Sequence, residues 1–188
     1  MEPFNGDTFI EKKFLELRDK FKIKWAIETG TCLGSTTLFL ARNFEVVTTI
    51  EANPLYKNIA DSRIEVAGFQ NVIRILGDSG RELSVITLTD EPILYFLDAH
   101  WQESCPLLDE LIAIAAISIK DPVIAIHDFF VPNEPELGFD SIKGQPFTLG
   151  WIAPYLERIY SNGYEIEYNT FEKSAGAKRG IIYITPKP

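Results

Sequence analysis

The chain has 188 residues, 24% of them charged and 46% apolar, with a formal net charge of −9. That is the composition of one globular domain, 1–188, with room for a sizeable core. The acidic balance, with no long basic run, argues against a nucleic-acid partner, because phosphate binding needs Lys and Arg in excess. It leaves room for small anions held by backbone N–H groups.

The opening MEPFNGDTFIEKKF is charged early and lacks the apolar run of a signal peptide. LLDELIAIAAISI, residues 107–119, contains two acids and falls short of the about 20 apolar residues a membrane helix needs. The two cysteines, Cys32 and Cys105, lie far apart. Together these features predict two thiols in a reducing, cytoplasmic protein with no membrane partner.

Taken in chain order, residues 8–21 have helical apolar spacing. KWAIE (24–28) reads as a strand, and residues 35–44 as a helix with Ser35 placed to cap it. EVVTTIE (45–51) is a β-branched strand, and 54–69 a helix with Pro54 in its first turn. Strand 71–76, a short helix at 81–88, strand 91–100 and helix 106–119 follow. Strand 121–130 precedes helix 148–162, which contains Pro154, and the strands 164–171 and 179–185 close the chain as a hairpin. Strands that are apolar along most of their length and alternate with helices imply a parallel sheet covered on both faces. The predicted fold is therefore α/β, a doubly wound, mostly parallel seven-stranded sheet with an antiparallel edge hairpin. Such sheets bind ligands beyond the C-terminal strand ends, where strand order reverses.

The first strand runs into IETGTCLGSTT, with Glu28, Gly30 and Gly34 around a helix N-terminus whose N–H groups are free. Glu51 ends the second strand, 21 positions beyond Gly30, where an acid can accept from both hydroxyls of a ribose. Asp78 and Ser79 follow the third strand and could meet a purine amine, although each also suits a helix cap. A dinucleotide fingerprint needs G-x-G-x-x-G, and the middle glycine here is Cys32. Glu28 would repel a pyrophosphate yet could hold a cationic amino group. A ligand with an amino acid at one end and adenosine at the other fits better.

On these residues the segment from Trp25 to about Phe130 resembles the class I S-adenosylmethionine-dependent methyltransferases. It is most similar to the small bacterial branch that methylates hydroxyls on sugars and natural products. The motif E-x-G-x-x-x-G-x-[ST]-T of that branch is matched by Glu28, Gly30, Gly34, Thr36 and Thr37, with Cys32 where the commonest form has glycine. The resemblance implies a Rossmann-like methyltransferase fold with S-adenosyl-L-methionine as cofactor. Glu28 and the backbone through Gly30, Thr31, Cys32, Gly34, Ser35 and Thr36 would hold its methionine part. Glu51 and Ala52 would hold the ribose, Asp78 and Ser79 the adenine side, and Asp98 would close the set.

Both histidines of the chain fall at strand ends, in FLDAHW and AIHDFF. Adjacent parallel strands lie about 4.8 Å apart, so Asp98, His100, His127 and Asp128 could converge as the catalytic group. Three readings stay open. Asp98 and Asp128, with His127 or His100, could hold a divalent metal, Mg²⁺ or Mn²⁺, which would lower the pKa of an acceptor hydroxyl. His100 or His127 could act as a general base without metal. Or the four side chains could simply tie loops together. Related O-methyltransferases carry a carboxylate after the fourth strand and an acid pair after the fifth; here the pair is His127-Asp128.

Trp101 is expected to wall the pocket. The long loop 129–147, with Asp140, Lys143 and Gln145, is expected to cover the acceptor, and the N-terminal segment 1–22 with Phe4 to close the other side. The expected activity is methyl transfer to a hydroxyl of a small acceptor such as a sugar, a glycoside or another natural product. The alternative is a non-catalytic nucleotide-binding module of the same fold.

Overall fold

The computed structural model describes residues 2–86, 90–100, 104–118 and 120–187. The strand–helix alternation is β1 (Trp25–Thr29), α2 (Ser35–Asn43), β2 (Val46–Glu51), α3 (Pro54–Val66), β3 (Val72–Leu76), α4 (Ser79–Leu83) and β4 (Ile93–Leu97). It continues with α5 (Leu107–Ile117), β5 (Val123–His127) and α6 (Leu149–Ile159), and ends in β8 (Tyr164–Tyr168) and β9 (Ile181–Pro186). Helix α1 (Thr8–Phe21) precedes them, and the two-residue strands β6 (Ser141–Ile142) and β7 (Gln145–Pro146) lie in the long loop.

Seven strands form one sheet in the order β3-β2-β1-β4-β5-β9-β8. Strands β1 to β5 pair in parallel, and β9 enters antiparallel between β5 and β8. Strand order reverses between β1 and β4. Register decides what meets there: Thr29 is level with Ile50 on one side and Leu97 on the other, and Leu97 with Ile126. The residues that follow, Gly30, Glu51, Asp98 and His127, therefore share one rim.

Two apolar layers cover the sheet. One face packs Ile27, Tyr95, Leu97 and Ile126 against Leu111 and Ile114 of α5 and Ile152 and Leu156 of α6. The other packs Ala26, Phe96 and Tyr183 against α1 and α2. Burial on both faces holds for β1, β4, β5 and β9, but the edge strands β3 and β8 are largely open to solvent. A strand with one neighbour and a partial helix cover keeps apolar residues such as Ile73 and Leu76 half exposed.

Several local expectations shift. The cap position of α2 is Gly34, with no side-chain cap, and Ser35 is the first helical residue. Helix α3 stops at Val66, and Pro154 sits inside α6. Part of the 81–88 helix, and Trp101, fall outside the described residues. Phe4 is not a lid: it is buried among Phe14, Phe39 and Phe96, with ring centroids 4.8 to 5.3 Å away. Its backbone N–H donates to Thr36 Oγ1 at 3.1 Å, so the segment ahead of α1 is built into the core. The loop 129–147 is also more ordered than its composition suggested. Lys143 and Gly144, both with positive φ (50° and 81°), make the turn between β6 and β7, as tight hairpins require.

Candidate active site

The glycine loop first meets the protein itself. A Cβ on Gly30 would lie 2.3 Å from the Asp98 carbonyl oxygen, and one on Gly34 would lie 3.1 Å from Ala60 Cβ. The loop thus nests against the end of β4 and the middle of α3, and both glycines have positive φ, as has Cys32 at 48°. Backbone bonds from Gly30 N–H to the Ile50 carbonyl (2.9 Å) and from Gly34 N–H to the Thr31 carbonyl (2.8 Å) fix it.

Beneath the loop lies Glu28, 1% exposed. Its Oε2 accepts from Thr37 Oγ1 at 2.5 Å and from Thr49 Oγ1 at 2.6 Å. Thr49 Oγ1 also contacts Thr31 Oγ1 at 2.5 Å. Burial pushes the Glu28 carboxyl up to about 8, against the pull of the two hydroxyls. At neutral pH it is mostly protonated, so it braces the loop from below and does not present a charge to a ligand. Glu51 braces the same loop from the side: Oε2 accepts from Cys32 N–H at 2.7 Å and Oε1 from Asn53 N–H at 2.8 Å. A carboxylate has about four acceptor positions, so Glu51, at the rim, keeps acceptor capacity for hydroxyls. Ala52 beside it is exposed.

The other predicted positions divide in the same way. Asp78 caps α4, accepting from Arg81 N–H at 3.2 Å, with a second oxygen to spare. Ser79 is turned inward, donating to Glu110 Oε1 of α5 at 2.5 Å. Thr36 faces Phe4. The uncapped first turn of α2 carries the N–H groups of Ser35 and its neighbours, where a carboxylate is stabilised.

Across the reversal point the ends of β4 and β5 bring together charges of both signs. His100 Nε2 lies 2.9 Å from Asp128 Oδ2 and 3.3 Å from Asp140 Oδ2. His127 Nδ1 lies 3.1 Å from Asp128 Oδ2 and 3.4 Å from Asp98 Oδ1. Among the described residues that buried Nδ1 has no aligned hydrogen bond to either carboxylate. Arg179, absent from the sequence reading, donates from Nε to Asp128 Oδ1 and from Nη2 to Asp140 Oδ1. Its signal was weak: a lone Arg ahead of the last strand, 51 residues from Asp128.

Burial works against both imidazolium ions, yet the carboxylates outweigh it. Asp98 and Asp128 hold His127 up at about 10, and Asp128, Asp98 and Asp140 raise His100. Burial also works against the Asp128 carboxylate, but His100, His127 and Arg179 hold it well below the usual range.

Among the described residues one metal-ligand set is geometrically available: oxygens of Asp98 and Asp128 and a nitrogen of His100 lie within 4.8 Å of one another. Of the two histidines expected to help the carboxylates, His100 completes the set and His127 does not. These donors fit a divalent cation once His100 is unprotonated. Two carboxylates with imidazole suit Mn²⁺ or Fe²⁺ better than Mg²⁺. Next to His100 is a shallow concavity lined by Ser104, Cys105, Asp140, Ser141, Ile142 and Phe147.

No protein-family model matches the chain, and no curated protein matches it in sequence. Solved structures match its shape. The O-methyltransferase from Bacillus cereus, in complex with SAH, is 24% identical, covering 95% of this chain and 80% of that one with a TM-score of 0.67. The chain has the Rossmann-like methyltransferase fold. The O-methyltransferase TomG from Streptomyces achromogenes, involved in tomaymycin synthesis and solved with SAM, matches at 17% identity, the same coverages and the same TM-score. An rRNA methylase from Streptococcus thermophilus matches at 12% identity and a TM-score of 0.64, covering 95% of this chain and 96% of that one. Proteins with different acceptors thus share this methyltransferase fold. Among the described residues, no helix is long and apolar enough to cross a membrane.

Proposed function

We propose that the protein is an S-adenosylmethionine-dependent O-methyltransferase acting on a hydroxyl of a small acceptor. The observation that carries this reading is the convergence of Asp98, His100 and Asp128 at the rim of a methyltransferase-type crevice. The cofactor's sulfonium supplies an electrophilic methyl group, so the protein's task is alignment and deprotonation of the nucleophile. The α2 N-terminus and the Gly30–Ser35 backbone hold the carboxylate end, Glu51 the ribose and Asp78 the adenine.

Asp98, His100 and Asp128 would hold a divalent cation whose charge lowers the pKa of a hydroxyl bound beside it. A general base must be unprotonated, and Asp98 and Asp128 hold a proton on buried His127. His100 would ligate the cation as a neutral imidazole, giving up its proton on binding, so neither histidine is left to act as the base. His127 then serves as a buried positive charge that orients Asp98 and Asp128. The surface, at net −9, favours a small neutral acceptor over nucleic acid.

Calorimetry with SAH, followed by transfer of a labelled methyl group to a panel of small hydroxylated acceptors with Mn²⁺ or EDTA, tests the reading. SAH is expected to bind at micromolar concentration and transfer to stop in EDTA. Binding of NAD but not SAH would remove methyl transfer. Binding of SAH without transfer to any acceptor would favour a nucleotide-binding module.

A further inference from the structure

We infer that Arg179 is a positioning residue for the acceptor side of this site. It locks the Asp128 carboxylate and the 138–142 segment of the loop into one unit. The catalytic part of this inference rests on the proposed methyl transfer, and the structural part stands alone.

The arrangement around Arg179 is built for one side chain. A Cβ on Gly138 would lie 2.6 Å from Arg179 Nη1 and 3.1 Å from Cδ, so a side chain there would push the guanidinium from its present place. A Cβ on Gly180 would lie 2.0 Å from the Phe129 carbonyl oxygen. These two glycines let three segments touch through their backbones. Gly180 N–H donates to the Gly138 carbonyl at 2.7 Å, Phe129 N–H to the Gly180 carbonyl at 2.9 Å, and Asp140 N–H to the Asp128 carbonyl at 2.8 Å. Fully buried Asn169 holds the backbone on either side, donating to the Arg179 carbonyl at 2.8 Å and accepting from Ile181 N–H at 2.8 Å.

On that frame the guanidinium spans two carboxylates, with Nε on Asp128 and Nη2 on Asp140. A planar fork holds the two carboxylates with separate donors in a fixed geometry, whereas a lysine ammonium, with its donors on one atom, can reach two carboxylates without fixing their orientation. With Oδ1 taken, Asp128 presents only Oδ2 to His100 and His127. Asp140 is likewise held with its other oxygen toward His100. The loop wall beside His100 formed by Asp140, Ser141 and Ile142 is therefore set before any substrate arrives.

The test compares the full-length protein with Arg179→Lys and Arg179→Gln by amide hydrogen exchange and by steady-state kinetics. Exchange at 138–142 is expected to rise at least tenfold in both variants, with the sheet amides unchanged. The kcat is expected to fall at least tenfold while SAH affinity stays within twofold. Unchanged exchange in both variants overturns the inference, and so does full protection in Arg179→Lys, which would mean that charge alone suffices. Raised exchange with unchanged kcat reduces Arg179 to a structural tie and overturns the positioning role. If the wild type transfers no methyl group but the exchange difference remains, methyl transfer fails and the lock survives. Should both Arg179 variants unfold, Asp140→Ala removes the loop end of the fork together with the Asp140–His100 contact. The same local rise in exchange then supports the lock, and its absence overturns it.

Discussion

The two sides of the reversal point are stabilised by different physics. On the β1–β2 side, Glu28, Thr31, Thr37 and Thr49 form a buried hydrogen-bonded set whose one carboxyl is pushed to the neutral form. Backbone groups face the crevice there. On the β4–β5 side, three carboxylates meet one guanidinium and two imidazoles within hydrogen-bonding distances. Backbone N–H groups can grip a ligand in one pose without responding to it. Concentrated opposite charges can exchange a proton or a cation, which is what deprotonation of a hydroxyl asks for.

Gly30→Ala should blur that division most, because the residue touches both sides. The new methyl group would strike the Asp98 carbonyl at a position with φ of 81°, costing about 3 kcal/mol from strain and overpacking. Gly144→Ala has the same φ but no atom within 4 Å and should cost about 1 kcal/mol, from strain alone. Denaturant unfolding of the pair measures the difference, and equal losses would mean that the loop does not nest on β4.

Asp98→Asn should separate chemistry from binding. It removes a charge from the cluster and keeps the shape, so kcat is expected to fall about 100-fold or more while SAH still binds. Glu51→Ala should do the reverse. It strips the acceptor from Cys32 N–H and Asn53 N–H and should weaken SAH binding about 10- to 100-fold. Calorimetry beside kinetics on both variants reads this contrast, and matching losses in both assays would merge the two halves.

The two halves were also unequally legible in the sequence. The order of strands and helices, the closing hairpin and the glycine loop came from local periodicity and turn residues, which act over a few positions. Strand-end placement of Asp98, His100, His127 and Asp128 followed from the same local reading. Arg179 and Asp140 did not, since they join the cluster through contacts 39 and 51 residues long that no periodicity encodes. Glu28 was read as facing a ligand because it ends a strand; its burial depends on Thr37 and Thr49, which lie on two other elements.

Stability against pH should carry the signature of both halves. Glu28 in the folded state keeps its proton up to about pH 8, whereas an unfolded glutamate loses it near 4.5. The folded state therefore binds more protons in that window, and stability falls as pH rises through it. His127 adds the same sign higher up: its stabilisation is complete below about 6.5 and is lost as pH rises toward 10. Glu28→Gln should flatten the lower part of the decline and leave the upper part, as followed by thermal unfolding from pH 5 to 9. An unchanged slope would return Glu28 to the crevice as a charged group.

The smallest effect is expected at Cys32. Its φ of 48° costs a non-glycine residue about 1 kcal/mol, which Cys32→Gly would relieve. The glycine would also give the unfolded chain more freedom, at about 0.5–1 kcal/mol, so the two terms nearly cancel. What the crevice uses at this position is the backbone N–H held by Glu51, and that bond survives the substitution. Stability should therefore change by less than about 0.5 kcal/mol, with SAH affinity within twofold of wild type. A clear loss of affinity would mean that the thiol itself touches the ligand, and the 30–35 loop would no longer grip through its backbone alone.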